Sequence, residues 1–169
     1  MSTDMAISVT INGQVRAVVI TPNETLLDLL RDRLDLRGTV EGCGVGVCGS
    51  CTVLLEDRPI SSCLLLATNA EGRAITTIEG LSVGGVLSPV QQAFLEHQAF
   101  QCGFCTPGMI MAVEALLRSS DDPSEADIRD YLSGNLCRCG TYSAVLAAVR
   151  GALAGSVAAR GDDQDANQA

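Results

Sequence analysis

Apolar and polar residues alternate over positions 6–21 of the chain, and a helical spacing of apolar residues follows. The alternation is interrupted by Asn12-Gly13, a dipeptide that favours a type I′ turn, so the segment predicts a β-hairpin. Residues 23–34 carry leucines at positions 26, 29, 30 and 34, which lie on one face of a predicted helix. Short apolar stretches at 51–57 and 73–78 predict two more strands. The first part of the chain is therefore expected to form a small α+β unit.

Helical periodicity dominates the rest of the chain. Ser88-Pro89 is a typical helix start, with serine as N-cap and proline in the first turn, and Thr106-Pro107 is expected to open a second helix in the same way. Residues 121–132 predict a third helix, with Asp122 as the cap and Glu125 completing a capping box.

A fourth helix is predicted over residues 142–153, and four short amphipathic helices together predict a compact all-α bundle. The expected domain limits are 1–80 for the α+β unit and 81–155 for the helical unit. Residues 156–169 end in a polar stretch without core-forming side chains, which predicts a disordered tail.

Composition and charge exclude several classes of function. The formal charge is −9, which is unfavourable for binding a nucleic-acid backbone, and the longest apolar runs are too short to insert into a membrane. No basic and apolar leader opens the sequence, so a cytoplasmic location is expected. In a reducing compartment, cysteines serve more often as metal ligands or redox groups than as disulfides.

The eight cysteines fall into two groups of four, and none lies outside these groups. Each group of four, called a tetrad from here on, predicts one four-ligand site. Ordinary buried thiols and disulfides are the alternatives. The first tetrad is Cys43, Cys48, Cys51 and Cys63, and the second is Cys102, Cys105, Cys137 and Cys139.

The first tetrad has the spacing C-x4-C-x2-C, with a fourth cysteine eleven residues further on. This is the plant-type ferredoxin spacing for a [2Fe–2S] cluster. A tight loop is needed to wrap three thiolates around one cluster, and glycines at positions 42, 44, 46 and 49 permit such a loop. Zinc is less favoured because structural zinc sites usually contain two short cysteine pairs.

The second tetrad consists of two short cysteine pairs, separated by 31 residues. Each pair lies just before a predicted helix, so two helix N-termini would point at one site and favour a negatively charged, thiolate-bound centre. A zinc ion and a [2Fe–2S] cluster both suit this arrangement. The residues alone leave the identity of the second centre open.

Four stretches of the sequence carry a resemblance to a known family: GCGVGVCGSCTV (42–53), SC (62–63), QCGFCTPGM (101–109) and GNLCRCGTY (134–142). Up to about residue 155 the chain resembles the iron–sulfur subunit of the xanthine oxidase family of molybdenum hydroxylases. The resemblance implies a β-grasp ferredoxin domain followed by a four-helix domain, each with one [2Fe–2S] cluster. All eight cysteines match the family pattern in order and spacing.

The resemblance also implies partners. In the family a large subunit binds the molybdopterin cofactor and performs the hydroxylation, and a medium subunit usually binds FAD. Electrons pass from molybdenum to the helical-domain cluster, then to the β-grasp cluster and on to FAD or another acceptor. Gln101 matches the glutamine that contacts the pterin, and Cys139 matches the cluster ligand nearest to the pterin edge.

Two departures from the family pattern are visible. Val40 stands where many members have lysine, and the order Cys139-Gly140-Thr141 replaces the Cys-Thr-Gly of many xanthine-type members. No nucleophile–base pair is apparent in the sequence, which fits a chain that transfers electrons and leaves bond chemistry to a partner. The competing hypotheses are a free-standing two-cluster electron carrier and a protein whose tetrads are zinc or disulfide staples.

Overall fold

The computed structural model describes the backbone of residues 4–165 and the side chains of residues 4–155. A mixed five-stranded sheet occupies the first part of the chain, in the order β2-β1-β5-β3-β4. Only β1 and β5 pair in parallel; the other neighbours are antiparallel. The strands are β1 (Met5–Ile11), β2 (Gln14–Ile20), β3 (Thr52–Leu55), β4 (Arg58–Ser61) and β5 (Ala74–Thr76).

The predicted hairpin is formed by β1 and β2. Asn12 and Gly13 both have positive φ, at 51° and 78°, as a type I′ turn requires. Alternate residues of β1, namely Ile7, Val9 and Ile11, are buried on one face of the sheet. The hairpin and its turn are therefore confirmed.

The predicted helix over 23–34 begins later than expected and is irregular. Thr25 caps α1 (Leu26–Asp28) through a capping box with Asp28, and the helix continues as a π-helical turn over Leu29–Arg33. Its leucines at positions 26, 29 and 30 are buried against the sheet.

Strand β4 is absent from the sequence-based prediction. Pro59 lies inside it, and proline argues against a central strand because it cannot donate to a ladder hydrogen bond. The structure places β4 at the edge of the sheet, where only β3 pairs with it. An edge strand tolerates proline, which explains the omission.

Four α-helices follow residue 88: α2 (Pro89–Glu96), α3 (Thr106–Ser119), α4 (Glu125–Tyr131) and α5 (Tyr142–Asp165). Helix α3 is buried on most of its circumference, and it packs directly on β3. All four residues of β3 are buried: Val53 and Leu55 face the core of the sheet, while Leu54 packs with the helices. The sheet and the helices thus share a continuous contact through β3.

The helix caps agree only in part with the predictions. Ser88 caps α2 through a capping box with Gln91, as expected for a serine before proline. The prediction for the third helix is wrong: Ser124, and not Asp122, is the N-cap of α4, and it forms a capping box with Asp127. Ser124 offers the same spacing to an acid three residues later, and its hydroxyl lies at the helix entrance.

The opening of α3 also differs from the expectation. Cys105 is the N-cap residue and Thr106 already lies in the first helical turn, so the threonine hydroxyl caps nothing. That hydroxyl is buried without a hydrogen-bond partner among the described residues.

Of the helices that the structure describes, none combines the length and the apolar character needed to cross a bilayer. The domain limits of 1–80 and 81–155, and the disordered tail over 156–169, stay predictions.

Candidate metal centres

The first tetrad is built on a glycine-rich loop between the π-helical turn and β3. Gly44, Gly46 and Gly49 have positive φ values of 66°, 74° and 69°, a conformation that side chains disfavour. Gly42 is needed for space, since a Cβ there would lie 2.8 Å from the sulfur of Cys48. The loop therefore folds tightly around its own thiols.

Cys43 and Cys63 have opposite environments within this tetrad. The sulfur of the exposed Cys43 accepts hydrogen bonds from the backbone N–H groups of Val45 and Val47, both at 3.4 Å. Backbone donors of this kind, with Val45 the strongest, lower the pKa of Cys43 to about 6. Burial raises the pKa of Cys63 to about 11. Cys51 lies beside it, only 2% exposed. The environment of Cys43 therefore favours thiolate, whereas that of Cys63 favours the protonated thiol until a metal displaces the proton.

The second tetrad is formed by the entrances of two helices. Cys102 and Cys105 precede α3, whereas Cys137 and Cys139 precede α5. The fold brings these segments together, and the sulfurs of Cys102 and Cys139 are 3.6 Å apart. Burial is the main factor that raises the pKa of Cys105 to about 12, and backbone donation from Phe104 lowers that of Cys102.

Cys137 is held by Thr141, which directly precedes α5, and by Tyr142, the first residue of that helix. Its sulfur lies 3.1 Å from the Thr141 hydroxyl, and its backbone N–H donates to the Tyr142 phenol oxygen at 2.8 Å. Burial works against ionisation of this thiol, but hydrogen bonds from Thr141 and other neighbours outweigh it and lower the pKa to about 7.

The eight thiols meet two by two. Within residues 4–155, no three histidine, cysteine or acidic side chains are grouped as the ligands of a single metal ion would be. Each thiol instead has one hydrogen-bond partner among the thiols of its tetrad, which gives four pairs, while weaker charge interactions link some thiols of different pairs. The pairs are Cys43 with Cys48, Cys51 with Cys63, Cys102 with Cys139, and Cys105 with Cys137.

One cavity of about 710 Å³ opens onto both tetrads. Six of the eight cysteines line it, and among its lining residues only Arg138 carries a formal charge. No carboxylate lines this cavity, so its donor set is composed of soft thiols. Such a set fits a sulfur-ligated centre and not a hard cation such as Mg²⁺ or Ca²⁺.

Backbone contacts fix the position of one tetrad relative to the other. The Leu136 N–H donates to the Cys48 carbonyl at 2.9 Å, and Asn135 donates its side-chain amide to the Gly49 carbonyl at 3.0 Å. Helix α3 approaches at Gly108, where an added Cβ would clash with the backbone carbonyl of Gly49. The loop that carries Cys137 is therefore attached directly to the loop that carries Cys48.

Gln101 and Cys139, the two residues predicted to face a pterin, lie together. The Gln101 side-chain amide donates to the Cys139 carbonyl at 3.4 Å, across 38 positions of sequence. Gln101 is exposed and Cys139 is half-buried. Their shared position leaves this edge of the second tetrad accessible from outside.

Four residues that contact the thiols or join their loops were not predicted as site residues from the sequence. Thr141 and Tyr142 contact Cys137, the Ser50 hydroxyl lies 3.5 Å from the sulfur of Cys48, and Asn135 joins the two loops. Ser50, Thr141 and Tyr142 stand within three residues of a cysteine, a signal that the sequence contains. The partner of Asn135 is 86 positions away, which no local pattern reveals.

Two family models together match most of the chain. One, described as a 2Fe-2S iron-sulfur cluster binding domain, matches residues 9–77. The other, described as a [2Fe-2S] binding domain, matches residues 77–150. Each match contains one complete tetrad. Two [2Fe–2S]-binding units in one chain define an iron–sulfur protein of electron transfer, and they favour clusters over the zinc and disulfide alternatives.

Relatives that match over most of their length show which family of iron–sulfur proteins this chain belongs to. The nicotinate dehydrogenase small FeS subunit of Eubacterium barkeri is 46% identical over 149 residues, covering 88% of this chain and 95% of that protein. A probable xanthine dehydrogenase subunit from Bacillus subtilis is 47% identical over 137 residues, covering 81% and 79%. A chain of quinoline 2-oxidoreductase from Pseudomonas putida 86 superposes with a TM-score of 0.87 at 45% identity, covering 90% and 95%. The chain belongs to the iron–sulfur small subunits of the xanthine oxidase family of molybdenum hydroxylases, and it is an electron-transfer subunit of an oxidoreductase.

Proposed function

We propose that the eight cysteines ligate two [2Fe–2S] clusters, one in a β-grasp ferredoxin domain over 1–80 and one in a four-helix domain over 81–155. The main support for this proposal is that the thiols are arranged in pairs, because each iron of a [2Fe–2S] cluster is ligated by two thiolates. The first cluster would be held by Cys43, Cys48, Cys51 and Cys63, and the second by Cys102, Cys105, Cys137 and Cys139.

When bound, each cluster supplies a centre that accepts and releases one electron at a time. The protein's part is to fix the thiolates and to tune their charge. Backbone N–H groups of Val45 and Val47 direct positive dipole ends at Cys43. Such donors compensate the negative charge of the thiolate and adjust the reduction potential.

Electrons would enter beside Gln101 and Cys139, from a molybdopterin cofactor held by a large partner subunit. Gln101 is exposed, and its contact with the Cys139 carbonyl leaves its own amide oxygen free to accept a hydrogen bond from a pterin. Phe104 and Leu136 lie nearby on the cavity wall, 50% and 49% exposed, and offer apolar surface for the same partner.

The connection from the second tetrad to the first would run through the hydrogen bond between Leu136 and Cys48. Beyond it, the first loop presents Val45 and Val47, which are 64% and 62% exposed. We propose that an FAD-binding medium subunit, or another acceptor, docks on this side. The two bacterial dehydrogenase relatives described above are named as subunits, which supports an assembly with a larger chain.

Metal analysis and electron paramagnetic resonance (EPR) spectroscopy test the proposal. The full chain, purified without oxygen, should contain about four irons and no zinc, and reduction should give two distinct EPR signals. Co-expression with its molybdopterin subunit should give a stable complex. Zinc at the second tetrad would overturn the ligation, and a chain that transfers electrons as a stable monomer without that partner would favour a free-standing carrier.

A further inference from the structure

Thr141 makes a contact with a ligand thiol that is unlike the backbone contacts of the first loop. At Cys43 the sulfur accepts from backbone N–H groups, those of Val45 and Val47. At Cys137 the Thr141 side-chain hydroxyl lies 3.1 Å from the sulfur, in addition to the backbone donors of Thr141 and Cys139. A side-chain donor can be changed by mutation without altering the backbone, so this contact can be tested alone.

The direction of this hydrogen bond follows from the chemistry of a ligated cysteine. A thiolate bound to iron has no proton and can only accept, whereas a hydroxyl can donate or accept. In the cluster-bound protein, Thr141 must therefore be the donor. A hydrogen bond to a charged acceptor is stronger than one between neutral groups.

The Thr141 hydroxyl is also held in place. The residue is 6% exposed, and its carbonyl accepts the Val145 N–H at 2.9 Å in the first turn of α5. The phenol oxygen of Tyr142, the next residue, accepts a hydrogen bond from the backbone N–H of Cys137 at 2.8 Å and so holds the backbone of that cysteine. The sulfur and the hydroxyl are thus attached to the same helix entrance.

We propose that the Thr141 hydroxyl donates to the Cys137 thiolate and raises the reduction potential of the helical-domain cluster. Reduction adds negative charge to the cluster, and a fixed donor stabilises that charge more in the reduced state than in the oxidised state. The proposal rests on the ligation described under the proposed function. It ties the order Cys139-Gly140-Thr141, the departure from many xanthine-type members, to a physical effect.

Ser50 provides an internal comparison in the first tetrad. Its hydroxyl lies 3.5 Å from the sulfur of Cys48, a longer contact than that of Thr141, and Ser50 is 4% exposed. Removal of the Ser50 hydroxyl should therefore affect the first cluster and leave the second unchanged. The two hydroxyls form a matched pair, one for each tetrad.

The experiment is an EPR-monitored redox titration of the full-length chain with both clusters assembled. Thr141→Val, which replaces the hydroxyl with a methyl group of similar size, should shift the second cluster to a lower potential and leave the first unchanged. Thr141→Ser should keep the potential close to wild type, because it keeps the donor. Ser50→Ala should leave the second cluster at its wild-type potential.

Several outcomes would overturn the role of Thr141. An unshifted second cluster in Thr141→Val, an equal shift in Thr141→Ser, or a shift of the second cluster in Ser50→Ala would each do so. If Thr141→Val fails to assemble the second cluster, Thr141→Ala decides by the same titration. If Thr141→Val and Thr141→Ala both lose the second cluster while Thr141→Ser retains it, the hydroxyl is needed for cluster assembly, and its proposed role in setting the reduction potential is overturned. A wild-type chain with only one EPR signal would instead refute the proposed ligation.

Discussion

The Asn135 side-chain amide donates to the Gly49 carbonyl at 3.0 Å, and this bond joins the last cysteine segment to the first cysteine loop. The same amide lies 3.3 Å from the Thr52 hydroxyl, and Asn135 is only 7% exposed. A buried polar side chain with two partners in another part of the chain stabilises that contact and specifies its geometry.

Asn135→Ala should destabilise the protein by about 0.5–1.5 kcal/mol, because one buried hydrogen bond between the two segments is lost while the Gly49 carbonyl keeps the Thr52 N–H and hydroxyl as donors. Chemical denaturation, followed by circular dichroism, measures the change in the free energy of unfolding. Asn69→Ala is the matched control: Asn69 is exposed, and its substitution should change stability by less than about 0.5 kcal/mol. Equal effects of the two substitutions would show that the Asn135 bond contributes nothing specific.

Gly108→Ala should be destabilising although alanine is the better helix former. Its Cβ would meet the carbonyl of Gly49 and lie 2.9 Å from that of Ser50, and neither backbone atom can move as a side chain would. We expect a cost of about 1–3 kcal/mol from overpacking. Gly155→Ala, in α5, has no atom within 4 Å of the added Cβ and should be neutral or stabilising by up to about 1 kcal/mol. Thermal unfolding of both variants checks the contrast.

The ion pair between Glu24 and Arg33 should make stability depend on acid pH. Arg33 forms two hydrogen bonds to the nearly buried Glu24, at 3.0 and 3.1 Å, and its donation lowers the pKa of that carboxyl from 4.5. A lowered pKa stabilises the folded state above pH 4.5, and this contribution is lost as the pH falls through the folded-state value.

Arg33→Gln should therefore reduce the stability at neutral pH and flatten its decline in acid. Denaturation at a series of pH values from neutral downward measures both effects. Arg37→Gln is the control, since Arg37 pairs with Asp35 on the surface, where the two side chains are 67% and 81% exposed. An identical pH profile for Arg33→Gln and wild type would exclude the ion pair as the cause.

Cys105→Ala should remove the second cluster and spare the first. The chain should then contain about two irons in place of about four, and one EPR signal should disappear. Cys51→Ala is the reciprocal variant and should remove the other signal. The loss of both signals in either variant would mean that the two sites assemble as one unit.

If the proposed pterin contact is correct, Gln101→Ala should leave both clusters assembled and weaken the complex with the proposed molybdopterin-binding subunit. One hydrogen bond contributes about 0.5–1.5 kcal/mol, which corresponds to a roughly 2- to 10-fold weaker association. Binding measurements between purified subunits test this, with iron content as the check on cluster assembly. A variant that loses the helical-domain cluster would place Gln101 among the residues that support ligation.

Much of the fold could be predicted from local patterns. Asn12-Gly13 specifies its turn through positive φ, and Ser88 with Gln91 specifies a helix start, because both depend on neighbours in sequence. Pro59 obscured an edge strand, since only the sheet order reveals that β4 lies at an edge. Ser124 and Asp122 both offer cap chemistry, and local spacing alone did not decide between them.

For the candidate sites, too, local patterns predicted one part and contacts between distant segments determined the rest. Spacing alone grouped the cysteines into tetrads and indicated a cluster for the first. The pairing of Cys102 with Cys139, and the joining of both tetrads by Asn135, depend on contacts between distant segments. Those contacts result from tertiary packing, which periodicity and spacing do not encode.

The close approach of α3 to the first cysteine loop has an evolutionary consequence. At Gly108 the two meet backbone to backbone, so no side chain lies between them to be exchanged for a larger or smaller one. Any side chain at Gly108 would widen this separation, because its Cβ would meet the backbone carbonyls of Gly49 and Ser50. Lineages that diverge in surface and core residues can therefore inherit the same distance between their two redox sites.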